Sequence, residues 1–191
     1  SNGTRRLGDV NPGLASSAPD SFTVVGTTLY FRATGPSRLP EWWRLDGVDA
    51  VPSLVRRTTG SANLYAFTNV GSQVYFAANS EELWSTDGTA TNTYLVRGPI
   101  PGLSSESPTM VVLGSRLILQ ATSLWASEGG TSNGTVQLGF NVSSPRHLTT
   151  WGSLVLFAGT SSSGRELWRT DGTTGGTYQV RDIAPGASSS S

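Results

Sequence analysis

The stretch ELWSTDGT, residues Glu82 to Thr89, decides the fold because it recurs along the chain. A second well-preserved copy runs from Glu166 to Thr173, and eroded copies begin at Glu41 and Ser123. The tryptophans of the four copies are separated by 41, 41 and 43 residues. A fixed period of this length indicates a repeat architecture, in which each repeat is one supersecondary unit.

Composition excludes several classes of protein. The 191 residues suffice for one domain or one small repeat array. Thirteen basic residues balance thirteen acidic ones, so we expect no nucleic-acid partner. Cysteine is absent and histidine occurs once, which excludes Cys-ligated zinc and makes us expect no metal and no cofactor. No run approaches the roughly 20 apolar residues of a membrane-spanning helix, so we expect no membrane insertion.

Each repeat contains four strand-length runs. In the second repeat these are residues 64–70, residues 74–76, the tryptophan-bearing run and residues 94–97. A glycine separates the first run from the second, and an Asp-Gly or Glu-Gly pair follows the third. Tight hairpin turns need positive φ, which glycine adopts readily. Each repeat is therefore predicted to be two hairpins in series, a four-stranded antiparallel meander.

The second and third runs are apolar at consecutive positions, which indicates strands buried on both faces. Radial stacking of sheets buries both faces, so we predict an all-β protein, a β-propeller of four blades with four antiparallel strands each. A β-sandwich is the alternative. The blades are expected within a single domain or segment, 1–191, at approximately 20–58, 63–98, 108–140 and 146–183. Residues 4–10 match residues 177–183 and predict an extra outer strand at the N-terminus.

The motif Glu-Leu-Trp-x-Thr-Asp-Gly-Thr, followed by Gly-Thr-x-x-Val-x-Asp-Ile-x-Pro-Gly, resembles the ELWxxDGT repeat family. The sharpest copy is residues 164–186. The first repeat departs from it at Trp42 and Val48, and the third has Ser123 for Glu and Glu128 for Asp. The resemblance implies a bacterial protein, secreted or on the cell surface, with a propeller-like fold. It implies no particular reaction.

Residues that every repeat needs are interpreted as structural, because a binding site is usually needed once. The turn aspartates are interpreted as closing their own turns, although a cation or sugar ligand is the alternative. The tryptophans are interpreted as packing between blades, although a stacking platform for sugars is the alternative. The residues interpreted as structural are Trp43, Trp84, Trp125, Trp168, Asp46, Asp87 and Asp171.

The leading functional hypothesis is a non-catalytic binding module for a protein or glycan ligand. The loops that join strands two to three and four to one vary in length, whereas the hairpin turns at the opposite end are uniform. Insertions collected on one face of a repeat protein are typical of a binding face. The residues predicted to contact the ligand there are Arg38, Trp42, Glu81, Glu106, Arg146, His147 and Arg165.

Two alternatives belong to other classes. One is a glycosidase-like hydrolase that uses acidic residues in the central cleft, since such enzymes need a pair of carboxyl groups. The other is a structural segment of a longer propeller array. Self-association through the extra N-terminal strand or the C-terminal strand is a further partner hypothesis, because an unpaired strand edge is usually covered.

Overall fold

The computed structural model describes residues 3–57, 64–79, 81–103 and 109–183, with the backbone alone at 64 and 65. These ranges contain sixteen β-strands and no helix. None of the described segments could therefore cross a membrane as a helix. The prediction of an all-β protein is confirmed.

The strands form four separate sheets, each of four antiparallel strands in chain order. Sheet A contains β1 (Asp20–Val25), β2 (Thr28–Thr34), β3 (Pro40–Asp46) and β4 (Ser53–Arg57). Sheet B contains β5 (Leu64–Val70), β6 (Gln73–Ala78), β7 (Glu82–Thr86) and β8 (Tyr94–Arg97). Sheet C contains β9 (Met110–Leu113), β10 (Arg116–Gln120), β11 (Leu124–Glu128) and β12 (Thr135–Leu138). Sheet D contains β13 (Ser143–Trp151), β14 (Leu154–Ser161), β15 (Gly164–Thr170) and β16 (Tyr178–Arg181). The predicted four-stranded meanders are confirmed.

Turn chemistry explains why the strands pair in this order. The first hairpin of each sheet turns at a glycine whose φ lies between 59° and 61°. A residue with a Cβ is strained in this left-handed region, and such turns match the twist of the flanking strands. The four glycines are Gly26, Gly71, Gly114 and Gly152.

The sheets stack in chain order, and three hydrophobic clusters hold them together. One cluster joins sheets A and B, a second joins B and C, and a third joins C and D. The first strands β1, β5, β9 and β13 contact one another in succession. Residues 74–78 of β6 are all buried, because sheets A and C cover its two faces. Within the described residues no sheet closes on itself.

The third strand gives the stack a direction. Trp84 belongs to the cluster shared with sheet A, whereas its neighbour Leu83 belongs to the cluster shared with sheet C. Likewise, Trp125 packs toward sheet B and Leu124 toward sheet D. Side chains alternate between the two faces of a strand. Each repeat tryptophan therefore faces the preceding sheet, and the residue just before that tryptophan faces the following sheet.

The predicted extra strand at 4–10 is wrong, because these residues are not in a strand. No strand edge pairs with them, and side-chain contacts hold them instead. Val10 is buried with Phe31 and Leu45 on the outer face of sheet A, and Arg5 forms an ion pair with Asp49. The segment therefore covers part of that face without extending a sheet.

Candidate functional site

The carboxylate of Asp87 closes its own turn. Its Oδ1 accepts hydrogen bonds from the backbone N–H and the hydroxyl of Thr89, at 2.9 and 2.7 Å. Its Oδ2 accepts a bond of 2.5 Å from Asn92 Nδ2. The bonds from Asn92 and then Thr89 favour the charged form and lower the pKa of Asp87 below 3.8. Asp171 makes the same two bonds with Thr173, at 2.9 and 2.7 Å. Both carboxylates are thus engaged by their turns.

Asp46 bonds across sheet A instead of closing its turn. Its Oδ1 accepts a bond of 3.0 Å from the Thr28 hydroxyl, and its Oδ2 lies 3.0 Å from Arg44 Nη2. Val48 stands where the other two turns have a threonine, so it offers no hydroxyl to the carboxylate. The turn of the first repeat therefore lacks one of the two donors that its equivalents have, and Asp46 binds Thr28 and Arg44.

The repeat tryptophans all lie on third strands, where sheets meet or on the outer face of sheet A: Trp43, Trp84, Trp125 and Trp168. Two of the rings are covered by arginines of the preceding sheet. Arg56 lies 4.2 Å from the Trp84 ring centroid, and Arg97 lies 5.3 Å from that of Trp125. Such cation–π contacts occupy the ring face that a sugar would stack on.

The repeat glutamates bind within the protein. Glu41 is fully buried, and its Oε1 accepts a bond of 3.1 Å from Arg57 Nε. Glu166 is also buried and accepts a bond of 2.9 Å from the backbone N–H of Ile183. Glu82 accepts one of 2.9 Å from the indole N–H of its own repeat. These carboxylates hold together parts of their own repeats.

The prediction that Trp42 contacts a ligand is wrong. Its side chain is 1% exposed and lies 4.2 Å from the Phe76 ring and 5.3 Å from the Tyr30 ring, measured between centroids. Trp42 takes the position that Leu83 has in the next repeat, and that position faces the following sheet. The extra aromatic ring fills the junction between sheets A and B.

His147 lies in a β-bulge that recurs in the first strands. Its φ is 57°, and the register of β13 shifts between Arg146 and Thr149. Ser21 in β1 and Ala66 in β5 have φ values of 55° and 56° at equivalent shifts. A bulge places one extra residue on the strand and bends it. The unusual backbone at His147 is therefore a feature of the repeat.

The other predicted ligand contacts lie at the loop end of three different sheets. Arg38 and Glu81 are exposed in the loops before β3 and β7. Arg146 and Arg165 belong to sheet D, on strands that flank β14. Glu106 lies outside the described residues. The structure thus brings Arg146 and Arg165 onto one sheet and leaves Arg38 and Glu81 on others.

A cleft of about 690 Å³ opens between sheets B and C at the hairpin-turn end. Its walls come from the first turns of both sheets, from β8 and from the turn after β11. The lining residues are Val70, Gly71, Ser72, Gln73, Tyr75, Tyr94, Gly114, Ser115, Glu128 and Gly129. The volume is within the range typical of small-molecule sites.

Glu128 provides the negative charge of this cleft. Arg116 Nε donates to its Oε2 at 2.9 Å, and the Ser115 hydroxyl donates to its Oε1 at 3.2 Å. The bond from Arg116 and its positive charge lower the pKa of Glu128 below its ordinary value of 4.5. The carboxylate is therefore ionised at neutral pH and can accept hydrogen bonds from a ligand.

Two tyrosines form the aromatic wall. Burial is the main reason why the pKa of Tyr75 is raised, and the neighbouring Tyr94 adds to it. A Cβ placed on Gly130 would lie 2.8 Å from Tyr94 Oη and 3.4 Å from Tyr75 Oη, so a larger residue would displace the Tyr94 hydroxyl and would also be strained at a φ of 65°. Tyr94 remains 39% exposed and presents its ring to the cleft.

The predicted ligand contacts do not include the residues of this cleft. The signal that identifies it is Glu128, which stands where Asp87 and Asp171 close their own turns. The longer glutamate reaches β10 and the preceding turn instead. A departure from the repeat at one position is the pattern expected of a site that is needed once. In the sequence alone, the glutamate at this position looks like random divergence of the repeat motif.

Outside this cleft, the acidic side chains of the described residues do not form a cluster. Within the described residues, no group of three or more His, Asp or Glu side chains could hold a metal ion. Asp20 is the one acidic residue on the described first strands, and Arg32 Nε donates to it at 2.7 Å. This bond lowers the pKa of Asp20. In their described part, the first strands therefore carry one carboxylate, and its charge is paired with that of Arg32.

The chain is similar in fold to parts of two solved peptidases. It matches a puromycin hydrolase in complex with PGG at a TM-score of 0.60 and 14% identity, over 93% of this chain and 30% of that one. It matches a puromycin-hydrolysing peptidase of Mycobacterium tuberculosis at a TM-score of 0.59 and 15% identity, over 83% of this chain and 28% of that one. The chain thus resembles the β-propeller domains of peptidases and spans less than a third of their length.

No protein-family model matches the chain, and no curated protein sequence matches it. At 14% and 15% identity, the likeness to the two peptidases concerns the fold alone.

Proposed function

We propose that the chain is a non-catalytic binding module built as an arc of a β-propeller, with four blades in series. The stacking of sheets A to D through their first strands supports the propeller arrangement. So does the fold similarity over 93% of the chain. A secreted or cell-surface location belongs to the same proposal and rests on the resemblance to the ELWxxDGT repeat family.

The cleft between sheets B and C is the ligand site that the geometry supports best. This assignment rests on a single observation. The turn carboxylate of Glu128 lines the cleft, and hydrogen bonds from Arg116 and Ser115 hold it in place there. Around it lie the Tyr94 ring and the polar side chains of Ser72 and Gln73. A carboxylate accepts bonds from hydroxyl groups, and an aromatic ring packs against the C–H face of a sugar. The proposed ligand is therefore a hydroxyl-rich molecule, an oligosaccharide.

Several observations favour binding over hydrolysis. Glycosidases place two carboxyl groups on either side of the scissile bond, and one of them must donate a proton. Among the described residues, Glu128 is the one acidic residue that lines this cleft. Its pKa is lowered, so it is poorly suited to act as a general acid near neutral pH. The hydrolase alternative lacks its second carboxylate here.

A glycan array followed by calorimetry with the best saccharide tests the proposal. Glu128→Gln should weaken binding at least about tenfold, because the ligand then loses hydrogen bonds to a charged acceptor. Tyr94→Ala should weaken binding as well, because the stacking ring is removed. Neither variant should release sugar from the saccharide.

Equivalent residues of sheet D provide matched controls. Asp171→Asn changes the turn carboxylate at the position of Glu128, and Tyr178→Ala removes a ring at the position of Tyr94. Tyr178 is 46% exposed, close to the value for Tyr94. Both controls should bind like the wild type. Equal loss in all four variants would contradict the assignment, and so would a soluble wild-type protein that binds no saccharide. The second result would favour the structural-segment alternative.

The loop end of the stack, where Arg38 and Arg165 lie, is the second candidate location for the ligand site. Arg38→Ala and Arg165→Ala distinguish the two ends of the stack. Loss of binding in these variants, with unchanged binding in Glu128→Gln, would place the site on the loop face instead.

A further inference from the structure

The three junctions between neighbouring sheets share one arrangement of the third strands. The residue before each repeat tryptophan packs against the following sheet, and Leu83 and Leu124 are fully buried there. At the A–B and C–D junctions, a residue on the second strand contacts the turn glycine of the next sheet, whereas at the B–C junction Tyr75 lies near Gly130, one residue after the equivalent Gly129. A Cβ on Gly88 would lie 2.7 Å from Tyr30 Oη, and one on Gly172 would lie 3.5 Å from Ile118 Cδ1. Each junction therefore has a donating face and a receiving face.

Arginines complete two of these junctions. Arg56 and Arg97 both pair with the residue before the repeat tryptophan on the neighbouring strand. They reach across to the next sheet, where they cover its tryptophan. Arg97 Nη1 also donates to Thr135 O at 3.3 Å, as Arg56 Nη1 does to Thr93 O at 3.1 Å.

Sheet D presents a donating face that has no following sheet in the described chain. Leu167 occupies the position of Leu83 and Leu124 but is 36% exposed. Arg181 pairs with Leu167 as Arg97 pairs with Leu83, and it is also exposed. The side chains that contact the next sheet elsewhere in the protein are thus present on sheet D, and no described strand packs against them there.

Sheet A presents a receiving face with room in it. Trp43 faces outward there, and its Nε1 is buried without a hydrogen-bond partner among the described residues. Gly47 is the turn glycine equivalent to Gly88, and no atom lies within 4 Å of the place where its Cβ would be, as is also the case for Gly129 at the junction between sheets B and C. A cavity of about 380 Å³ opens beside it, and its lining includes Leu29, Leu45 and Val48.

We propose that sheet D of one copy of this chain docks on the outer face of sheet A of a second copy, and so repeats the internal junction between two molecules. The occupant is a second copy because the chain itself carries both matching halves, one at each end of the stack. The interface joins two different surfaces, so the association is head-to-tail, and two joined copies still present one face of each kind to further copies. This inference is independent of the proposed ligand site.

The N-terminal segment lies over part of the receiving face. Gly8 lies against Pro52, the residue just before β4. The equivalent residue of sheet B is Thr93, just before β8, and its carbonyl accepts the hydrogen bond from Arg56. Residues 4–10 therefore occupy the place that the fourth strand of a docking sheet would take. They compete with β16 of the second copy and must move aside. A variant that loosens them, Val10→Ser, should associate more strongly than the wild type.

Sedimentation velocity over a range of concentrations tests the proposal with variants of exposed residues. Leu167→Glu alters the donating face, and Val48→Glu alters the receiving face, where Val48 is 86% exposed. Each variant alone should self-associate at least about tenfold more weakly than the wild type. An equimolar mixture should form a 1:1 dimer, because each variant keeps the face that the other has lost. Leu95→Glu, on an outer strand of sheet B where Leu95 is 45% exposed, is the control and should dimerise like the wild type.

Three results would overturn the proposal. The wild type and Val10→Ser could both remain monomeric at every soluble concentration. The mixture of the two face variants could fail to restore the dimer, which would indicate a symmetric interface. Finally, Leu95→Glu could weaken association as much as the face variants do. Unfolding midpoints in urea for all variants separate loss of association from loss of folding.

Discussion

The guanidinium group of Arg56 lies 4.2 Å from the centroid of the Trp84 ring, and the two residues belong to adjacent sheets. The Arg56 Nη1 atom also donates a hydrogen bond of 3.1 Å to the carbonyl of Thr93, just before β8. One arginine of sheet A therefore holds sheet B at its third strand and at the entry to its fourth. Trp84 in turn donates to Glu82 through its indole N–H.

Truncation of Trp84 and truncation of Arg56 should lower the free energy of unfolding by different amounts. Trp84→Ala should lower the free energy of unfolding by about 3 kcal/mol, at the low end for large aromatics because the side chain is only partly buried. Arg56→Ala should cost about 1 kcal/mol, the cation–π contact and one hydrogen bond. Urea unfolding of both variants and of the double variant measures their coupling.

Trp151 provides the control for this prediction. It is 68% exposed on β13, so Trp151→Ala should change stability by less than about 0.5 kcal/mol. An equal loss for Trp84→Ala and Trp151→Ala would show that the junction does not depend on the repeat tryptophan.

The turn aspartates should make stability depend on acid pH. Hydrogen bonds lower the pKa values of Asp87 and Asp171 below 3.8 in the folded protein. At a pH between the folded and unfolded pKa values, the unfolded chain therefore binds more protons. The stabilisation is present above the unfolded pKa and is lost as the pH falls through the folded values. The double variant Asp87→Asn, Asp171→Asn should lose less stability than the wild type between about pH 5 and about pH 2.

Asn92→Ala tests the cause of the shift at Asp87. Asn92 donates the hydrogen bond that contributes most to the lowered pKa, so its removal should make the acid dependence weaker while the carboxylate remains. Urea midpoints measured over the same pH range compare the three proteins. Parallel curves for all three would show that these turns contribute nothing to acid sensitivity.

His147→Gly should stabilise the protein by up to about 1 kcal/mol, because glycine adopts the positive φ of the bulge without strain. Thr150→Gly in the same strand is the control and should destabilise by about 0.5–1 kcal/mol or more, since a glycine within a strand loses more conformational entropy and the hydrogen bond of 3.3 Å from the Thr150 hydroxyl to Val112 O is also removed. Thermal unfolding distinguishes the two. A lower melting temperature for His147→Gly would show that the imidazole makes a contact that outweighs the backbone strain.

The periodic part of the molecule could be predicted from the sequence. The spacing of the tryptophans, the turn glycines and the runs of apolar residues predicted the four meanders, and the structure confirms them. Local turn chemistry and two-sided burial determine these features, and both leave a repeating signal. Departures from the repeat were harder to interpret. Trp42 looked like an aromatic available to a ligand, whereas it fills a junction between two sheets.

The candidate cleft depends on side chains that the repeat does not predict. Tyr75 and Glu128 come from different sheets, and their proximity depends on how sheets B and C stack. The reach of Glu128 to Arg116 depends on one extra methylene group relative to aspartate. The conformation of residues 4–10 also escaped prediction, because a matching sequence forms a strand only where a neighbouring edge can pair with it.

Contacts between sheets run from each sheet to its immediate neighbours. A stack of this kind behaves as a one-dimensional chain of coupled units, in which stability is the sum of unit terms and nearest-neighbour terms. Among the described residues, sheets B and C contact a sheet on both sides and sheets A and D on one, so amide exchange should slow toward the middle and unfolding should begin at either end. Each added repeat would bring one more unit and one more junction. The thermodynamic stability of such a protein should therefore rise by a constant increment with every repeat that is added.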